Sequence, residues 1–366
     1  MTDRSASAEY SNDTSPLAAS GLLAKLGATI PLVSAPMAGG PSTPALVLAA
    51  AEAGGLGMLA GGYKSPKQLA EQITEVSTGI STIGANLFGV NLFAPNPVPI
   101  DKDAFVEYTE ALRELAATYD LSLNEVEALE DDDEWAEKVD MLVSDPVPVV
   151  SFTFGLPPAE AVRRLQKAGS LVFQTVTKPD EAQQAADLGV DGLVVQSYKA
   201  GGHSGTLTPG TPIEQIPLAQ LLDRVRSRTT LPMWAAGGIS TPNAVREALA
   251  HGAEAAVLGS VLLRSDESGA SKPYKAALAD PRRTETVLTT AFSGRPARAL
   301  RNDFVDQFHG AAPSGYPAIH HLTSPIRKAA AAANDSENIN IWAGTGYRDA
   351  TEEPTVVIMR RLAAVR

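Results

Sequence analysis

Residues 231–260 read LPMWAAGGISTPNAVREALAHGAEAAVLGS, and they hold one complete unit of the fold. An apolar run over 231–236 ends in Gly237-Gly238. Ser240, Thr241 and Pro242 then offer a capping oxygen and a fixed φ suited to the first turn of a helix. The apolar residues of NAVREALA recur at helical spacing, and Gly252 tolerates the left-handed turn that ends such a helix. A second apolar run, 255–259, closes on Gly259-Ser260. Neither run alternates with polar residues, as expected of parallel strands buried on both faces.

The same unit recurs toward the N-terminus. IPLVSAP leads through Ser42, Thr43 and Pro44 into ALVLAAAEA, and then through Gly54-Gly55 into LGMLA. VPVVSFTFG leads through Pro157-Pro158 into AEAVRRLQKAG and LVFQTV. Lys178-Pro179-Asp180 opens EAQQAADLG before DGLVVQS. Strands are thus expected near 30–34, 57–60, 83–93, 147–154, 170–176, 191–196, 231–236 and 255–259. Eight strands alternating with helices predict a (β/α)8 TIM barrel. A doubly wound open sheet is the rival, and periodicity alone does not exclude it. The barrel is expected to use residues 21–260 and 336–366, with a smaller, mostly helical domain inserted at 261–335 and a loosely ordered tail at 1–20. Residues 95–146 carry an acidic run from Glu127 to Glu134 and are expected to form a solvated surface segment, dispensable for chemistry.

Composition narrows the function. The 366 residues include 30 Lys+Arg against 42 Asp+Glu, a formal charge of -12, which opposes binding to nucleic acid or anionic lipid. With no cysteine there is no disulfide framework, thiolate metal site or thiol nucleophile. The acidic run lacks the glycine of a calcium loop, and Leu142 stands where the bidentate Glu would fall. Neither HExxH nor GxSxG occurs. No metal is expected. No segment has the apolar length of a membrane helix or the apolar core of a signal peptide, so a cytoplasmic protein, monomer or homodimer, is expected.

In a barrel the working face lies where strands end. The turns Gly237-Gly238 and Gly259-Ser260, after the last two strands, allow backbone N–H groups to approach an anion, as in a phosphate clamp. At the end of the sixth strand, Gly201-Gly202-His203 places an imidazole where the backbone can pass close to a flat ligand, and histidine exchanges protons near neutral pH. The other histidines have plainer readings. His251 sits at a helix C-terminus, His320 and His321 are adjacent and make a poor metal pair, and His309 has no evident partner.

Taken together, these pieces resemble the FMN-dependent nitronate monooxygenases, formerly grouped as 2-nitropropane dioxygenases. They are APMAGG (35–40), GGLG (54–57), GVNLF (89–93), VSFTFG (150–155), AGGHSGT (200–206), AAGGI (235–239), VLGS (257–260) and WAGTGYR (342–348). GVNLF and VSFTFG narrow the likeness to class I. The resemblance implies FMN, with Pro36 and Met37 beside its ring, Asn91 and Gln196 at its polar edge, and Gly201 and Gly202 lining it. Gly237, Gly238, Gly259 and Ser260 would hold the phosphate, and His203 would be the catalytic base. Gly344, Thr345 and Gly346 match a flavin-side segment, although many relatives carry Gln where this chain has Thr345. Tyr63, Tyr274 and Tyr316 are available for the family's tyrosine-lined substrate cavity.

The implied reaction oxidises alkyl nitronates, such as propionate 3-nitronate, and by extension nitroalkanes, with O2 to carbonyl compounds and nitrite. The rival readings are an NADH:quinone reductase or enoyl reductase of the same superfamily, and a phosphate-binding isomerase or aldolase barrel without flavin. The last usually needs a Lys or Glu on a strand end, and the strand-end candidates are only Lys64, Lys178 and Lys199. A non-catalytic binding barrel is a further rival.

Overall fold

Thr43 and Thr241 each precede a proline and cap a helix, accepting from Leu46 N at 3.0 Å and Ala244 N at 3.2 Å. The helices Ala159–Ala168 and Pro179–Leu188 end on Gly169 and Gly189, both left-handed. This local chemistry sets the repeat. The computed structural model describes residues 17–83 and 87–364.

The strands in chain order are β1 (Leu32–Ser34), β2 (Leu56–Ala60), β3 (Phe88–Ala94), β4 (Val149–Phe154), β5 (Leu171–Val176), β6 (Gly192–Gln196), β7 (Gly202–His203), β8 (Met233–Ala236), β9 (Ala255–Leu258), β10 (Thr286–Thr289) and β11 (Ala297–Leu300). Eight of them close a parallel barrel in the order β1-β2-β3-β4-β5-β6-β8-β9. Pairing of Leu32 with Ala256 and of Val33 with Val257 shuts the barrel and excludes the open sheet. The third strand begins at Phe88, because the helix Pro66–Ile83 runs through the point where the apolar pattern suggested that it would start. In the barrel core Phe173 stacks on Trp234, with ring centroids 3.9 Å apart. Both side chains are buried, and each typically contributes several kcal/mol to such a core.

The segment 261–335 contains the helices Lys272–Ala279, Asp303–Phe308 and Ala318–Ala332. It also contains β10 and β11, which pair antiparallel and extend onto β7, with Ala297 opposite His203. A second hydrophobic core joins Phe292, Phe304, Phe308, Ile319 and Leu322 to Phe105, Tyr108 and Leu112. Tyr108 OH donates to Ala291 O at 2.7 Å. The expectation that 95–146 is surface therefore fails over 105–123, where the apolar face of Lys102–Ala111 is covered by the smaller layer, and again at Lys138, Val139 and Leu142, which are buried. The final helix, Thr355–Leu362, buries Ile358, Met359 and Leu362 in the barrel's own core.

Of the expected tail, residues 1–16 lie outside the described residues. Leu17 and Ala19 are tied down, donating to Ala363 O at 2.8 Å and Thr29 O at 3.1 Å. No helix among the described residues is long and apolar enough to cross a membrane.

Candidate active site

The strand ends and the smaller layer enclose a cavity of about 900 Å³. On the β8–β9 side its wall is backbone. Gly237 and Gly238 have φ of +105° and +76°, which side-chain-bearing residues rarely adopt. A Cβ on Gly237 would lie 2.6 Å from Ser197 Oγ, and one on Gly201 would lie 2.5 Å from Gly344 N. These loops are thus packed against each other as far as glycine allows. The N–H groups of Gly238, Gly259 and Ser260 make no hydrogen bond among the described residues, and all three residues line the cavity. Ser260 Oγ accepts from Gly344 N at 2.8 Å, holding the C-terminal segment in place.

The remaining residues implied by the resemblance fall around this wall. Pro36, Met37, Asn91, Gln196, Gly201, Gly202, His203 and Gly344 all line the cavity. Ser42 fixes the 35–42 turn, its hydroxyl accepting from Met37 N at 2.8 Å and donating to Ala35 O at 3.1 Å. Asn91 Oδ1 accepts from Ser151 at 2.8 Å and Thr153 at 3.0 Å, which leaves the amide NH2 as the free donor. Gln196 differs. Its amide donates to His203 O at 3.2 Å and accepts from Gly205 N at 2.7 Å, so it shapes the histidine loop. Thr345 is exposed and does not line the cavity. Its N–H donates to Lys199 O at 3.1 Å, and its hydroxyl abuts Gly238.

His203 is held between the barrel and the β10–β11 ribbon. Its backbone pairs with β11, and its ring packs edge-on to Phe154 and Tyr316 and beside Trp342. Nε2 lies 2.8 Å from Ser293 Oγ, which is also 3.3 Å from Arg295 O. When the hydroxyl donates to that carbonyl, Nε2–H donates to Ser293 and Nδ1 is the free base. Burial, reinforced by the Arg295 and Arg327 guanidinium groups, pushes His203 down to about 3. The ring is therefore neutral throughout the physiological range, which leaves Nδ1 unprotonated.

The opposite wall is made of side chains. Tyr63 stacks on His320, with centroids 4.1 Å apart and planes 4° from parallel, and its hydroxyl accepts from Tyr316 OH at 3.3 Å. Arg327 donates to His320 O and Asn340 Oδ1, both at 3.0 Å, and to Thr323 Oγ1 at 3.1 Å. Arg295 lies behind this wall, 4.2 Å over the Phe154 ring. Burial lowers both arginines to about 10, so both stay charged at neutral pH, and neither forms a salt bridge among the described residues. Tyr274 also lines the cavity and donates to Trp342 O at 2.5 Å. Of the strand-end lysines Lys64 alone lines it, donating to Ala60 O at 2.9 Å, and burial next to Lys138 lowers its ammonium to about 8.

Sequence reasoning missed Ser293, Arg295, His320 and Arg327, which lie on the smaller layer and reach the site only through folding. It also missed that part of the acidic run, exposed as expected at Asp131, Asp132 and Glu134, reaches the site. Residues 131–134 line the cavity mouth, His321 Nε2 pairs with Asp131 at 3.0 Å, and Asp133 is engaged on both oxygens. His309 has a partner as well, its Nδ1 lying 3.1 Å from Thr289 Oγ1.

Comparison with known proteins supplies the family. A nitroalkane oxidase from Streptomyces ansochromogenes superposes with a TM-score of 0.85 at 43% identity, covering 91% of this chain and 95% of that one. FabK from Thermotoga maritima shares the fold with a TM-score of 0.69 at 24% identity, covering 92% of each chain. A probable nitronate monooxygenase of Staphylococcus aureus strain Newman is 33% identical over 336 residues, 91% of this chain and 93% of its own length. The family model for nitronate monooxygenase matches residues 20–360. The chain belongs to the nitronate monooxygenase family.

Proposed function

We propose that this protein is an FMN-dependent nitronate monooxygenase that converts alkyl nitronates, with propionate 3-nitronate as the model substrate, and O2 to carbonyl compounds and nitrite. The observation that carries this reading is electrostatic. Although the chain has a formal charge of -12 and the acids 131–134 border the cavity, its wall carries the buried Arg327 guanidinium, with Arg295 behind it, neither in salt-bridge contact with a carboxylate among the described residues, beside a histidine held neutral. Such a field draws in an anion and favours the deprotonated nitro compound over its neutral parent.

The residues present fit FMN. The unanswered N–H groups of Gly238, Gly259 and Ser260 suit a phosphate, and the Asn91 NH2 and the buried, unpartnered Trp234 Nε1 are donors for a polar ring edge. When bound, FMN supplies the redox chemistry, taking electrons from the nitronate and passing them to O2. The protein's part is to bind and orient. Arg327 and Arg295 hold the anion by charge, the Tyr63–Tyr316 pair offers hydroxyl contacts, and Phe93 and Phe154 exclude water. His203 accepts the carbon-bound proton when a neutral nitroalkane enters.

Purified protein should show flavin absorbance, and it should consume O2 and release nitrite with propionate 3-nitronate. A flavin-loaded protein that oxidises NADH rapidly under nitrogen, yet takes up no O2 with any nitronate, would overturn the reading in favour of a reductase.

A further inference from the structure

Tyr63 lies in the turn after β2 with φ of +65°, a left-handed conformation that an aromatic residue adopts only when its surroundings hold it there. Its N–H donates to Asp133 Oδ1 at 2.9 Å. The other oxygen, Oδ2, lies 2.8 Å from Lys138 Nζ, and the Lys138 side chain is only 1% exposed. One carboxylate thus answers both a buried ammonium and a strained backbone amide. Lys138 has no other ion pair among the described residues.

The effect of this anchoring is felt inside the cavity. With its backbone pinned, the Tyr63 ring is clamped between Phe93, edge-on at 5.2 Å, and His320, face-to-face at 4.1 Å. Its hydroxyl meets that of Tyr316, whose ring in turn lies edge-on to His203 at 5.9 Å. The chain of contact runs from Asp133, outside the reacting centre, to the wall facing the histidine. A residue with an ordinary backbone preference would relax toward negative φ if the anchor were removed, and the ring would swing with it.

We propose that Asp133 is a positioning residue, which through the Tyr63 N–H and the buried pair with Lys138 fixes the Tyr63–Tyr316–His320 wall and so sets how tightly the anionic substrate is held. This rests on the reading of the cavity as a nitronate site. The wall touches the substrate before and during reaction alike, so its loss weakens binding uniformly and appears in KM rather than kcat.

The test compares wild type, Asp133→Ala and the double variant Asp133→Asn/Lys138→Met, with exposed Glu127→Gln as a control. Asp133→Ala is expected to raise KM for propionate 3-nitronate roughly tenfold or more while kcat stays within about threefold. FMN content should be unchanged. Hydrogen exchange at the Tyr63 amide should accelerate by roughly 10–100-fold, as befits a lost charged acceptor. The double variant keeps a carbonyl acceptor for Tyr63 without stranding an ammonium, and should restore both KM and protection.

A wild-type KM in Asp133→Ala, or an unchanged Tyr63 exchange rate, overturns the proposal. If that variant does not fold, the double variant decides. A raised KM despite a protected amide overturns the proposal, whereas a normal KM with protection supports it. Hydrogen exchange needs no turnover. An inactive wild type therefore defeats the functional reading, while unaltered exchange in the variant defeats the positioning role on its own.

Discussion

The two walls of the cavity are built from different material. On the β8–β9 side the surface is backbone, with three N–H groups, unanswered among the described residues, presented by glycine turns. On the other side it is side chain, with Tyr63, Tyr316, His320 and Arg327 brought together from separate regions of the chain. A backbone wall depends on local conformation and tolerates no added atoms. A side-chain wall depends on tertiary packing and can be altered one group at a time. Substitutions on the first should act as all-or-none, and those on the second as graded changes.

The largest effect is expected at Gly238. Its φ of +76° disfavours any side chain, and a Cβ there would sit 3.0 Å from Lys199 Cβ and 3.2 Å from Thr345 Oγ1. Gly238→Leu should give a folded but colourless protein, as read from visible absorbance and circular dichroism. Stoichiometric FMN in that variant would break the contrast between the walls, because the backbone side would then not be the cofactor side.

His203 stands between the two walls and separates two substrate states. Proton abstraction by a placed base is typically worth about 10²–10⁴-fold, and a nitronate has already lost that proton. His203→Asn should lower oxygen uptake with a neutral nitroalkane by that factor, while sparing much of the rate with the preformed nitronate. Equal proportional losses would remove the base role.

How far the sequence reveals each wall follows from the same difference. Glycine turns after apolar runs leave a spaced signature, so Gly237, Gly238, Gly259 and Ser260 can be picked out by spacing alone, along with the strand–helix repeat, while closure of the barrel rests on the pairing of β1 with β9. His203 is legible because glycines precede it. Ser293 and Arg295 lie in the loop between β10 and β11, with no local pattern to mark them, and only the pairing of β11 with β7 carries them to the histidine. Phe105, Tyr108 and Leu112 do fall at helical spacing, but the acids among them suggest a solvated face. Asp133 is hidden in a run of like charges. It leaves one faint signal: Lys138 is the first cation after Arg113, so a lone base follows a long acidic stretch.

A graded effect is expected at Arg327. In the proposed reading its charge attracts the anion, and it also helps to hold His203 below its ordinary range. Arg327→Met should raise KM for the nitronate about tenfold or more, in line with losing a buried charge contact. It should also move the histidine upward, although burial, the larger cause, remains. Because the base works only when neutral, the acid limb of kcat/KM for a neutral nitroalkane should shift to higher pH. An unmoved limb would show that burial alone sets the histidine.

The last expected effect leaves activity unread and is on stability, and it follows from the two histidines that the site keeps neutral. His203 falls from an ordinary 6.5 to about 3, and His320 is lowered well below 6.5, first by burial and then by Arg327. Above 6.5 neither the folded nor the unfolded chain protonates these rings, so they add no pH dependence. Below it the unfolded chain takes up protons that the folded chain refuses, and stability falls as pH drops from 6.5 toward the folded values. Each ring contributes a slope approaching about 1.4 kcal/mol per pH unit in that window. Asp133 opposes the trend at its lower end, because burial raises its carboxyl and the folded state then gains a proton before the unfolded one. Urea midpoints measured between about pH 7 and about pH 5 should therefore decline, and His203→Asn should remove about one proton's worth of that slope. An unchanged slope in His203→Asn would mean that the ring is protonated in the folded protein, and the neutral base assigned to the cavity would be lost with it.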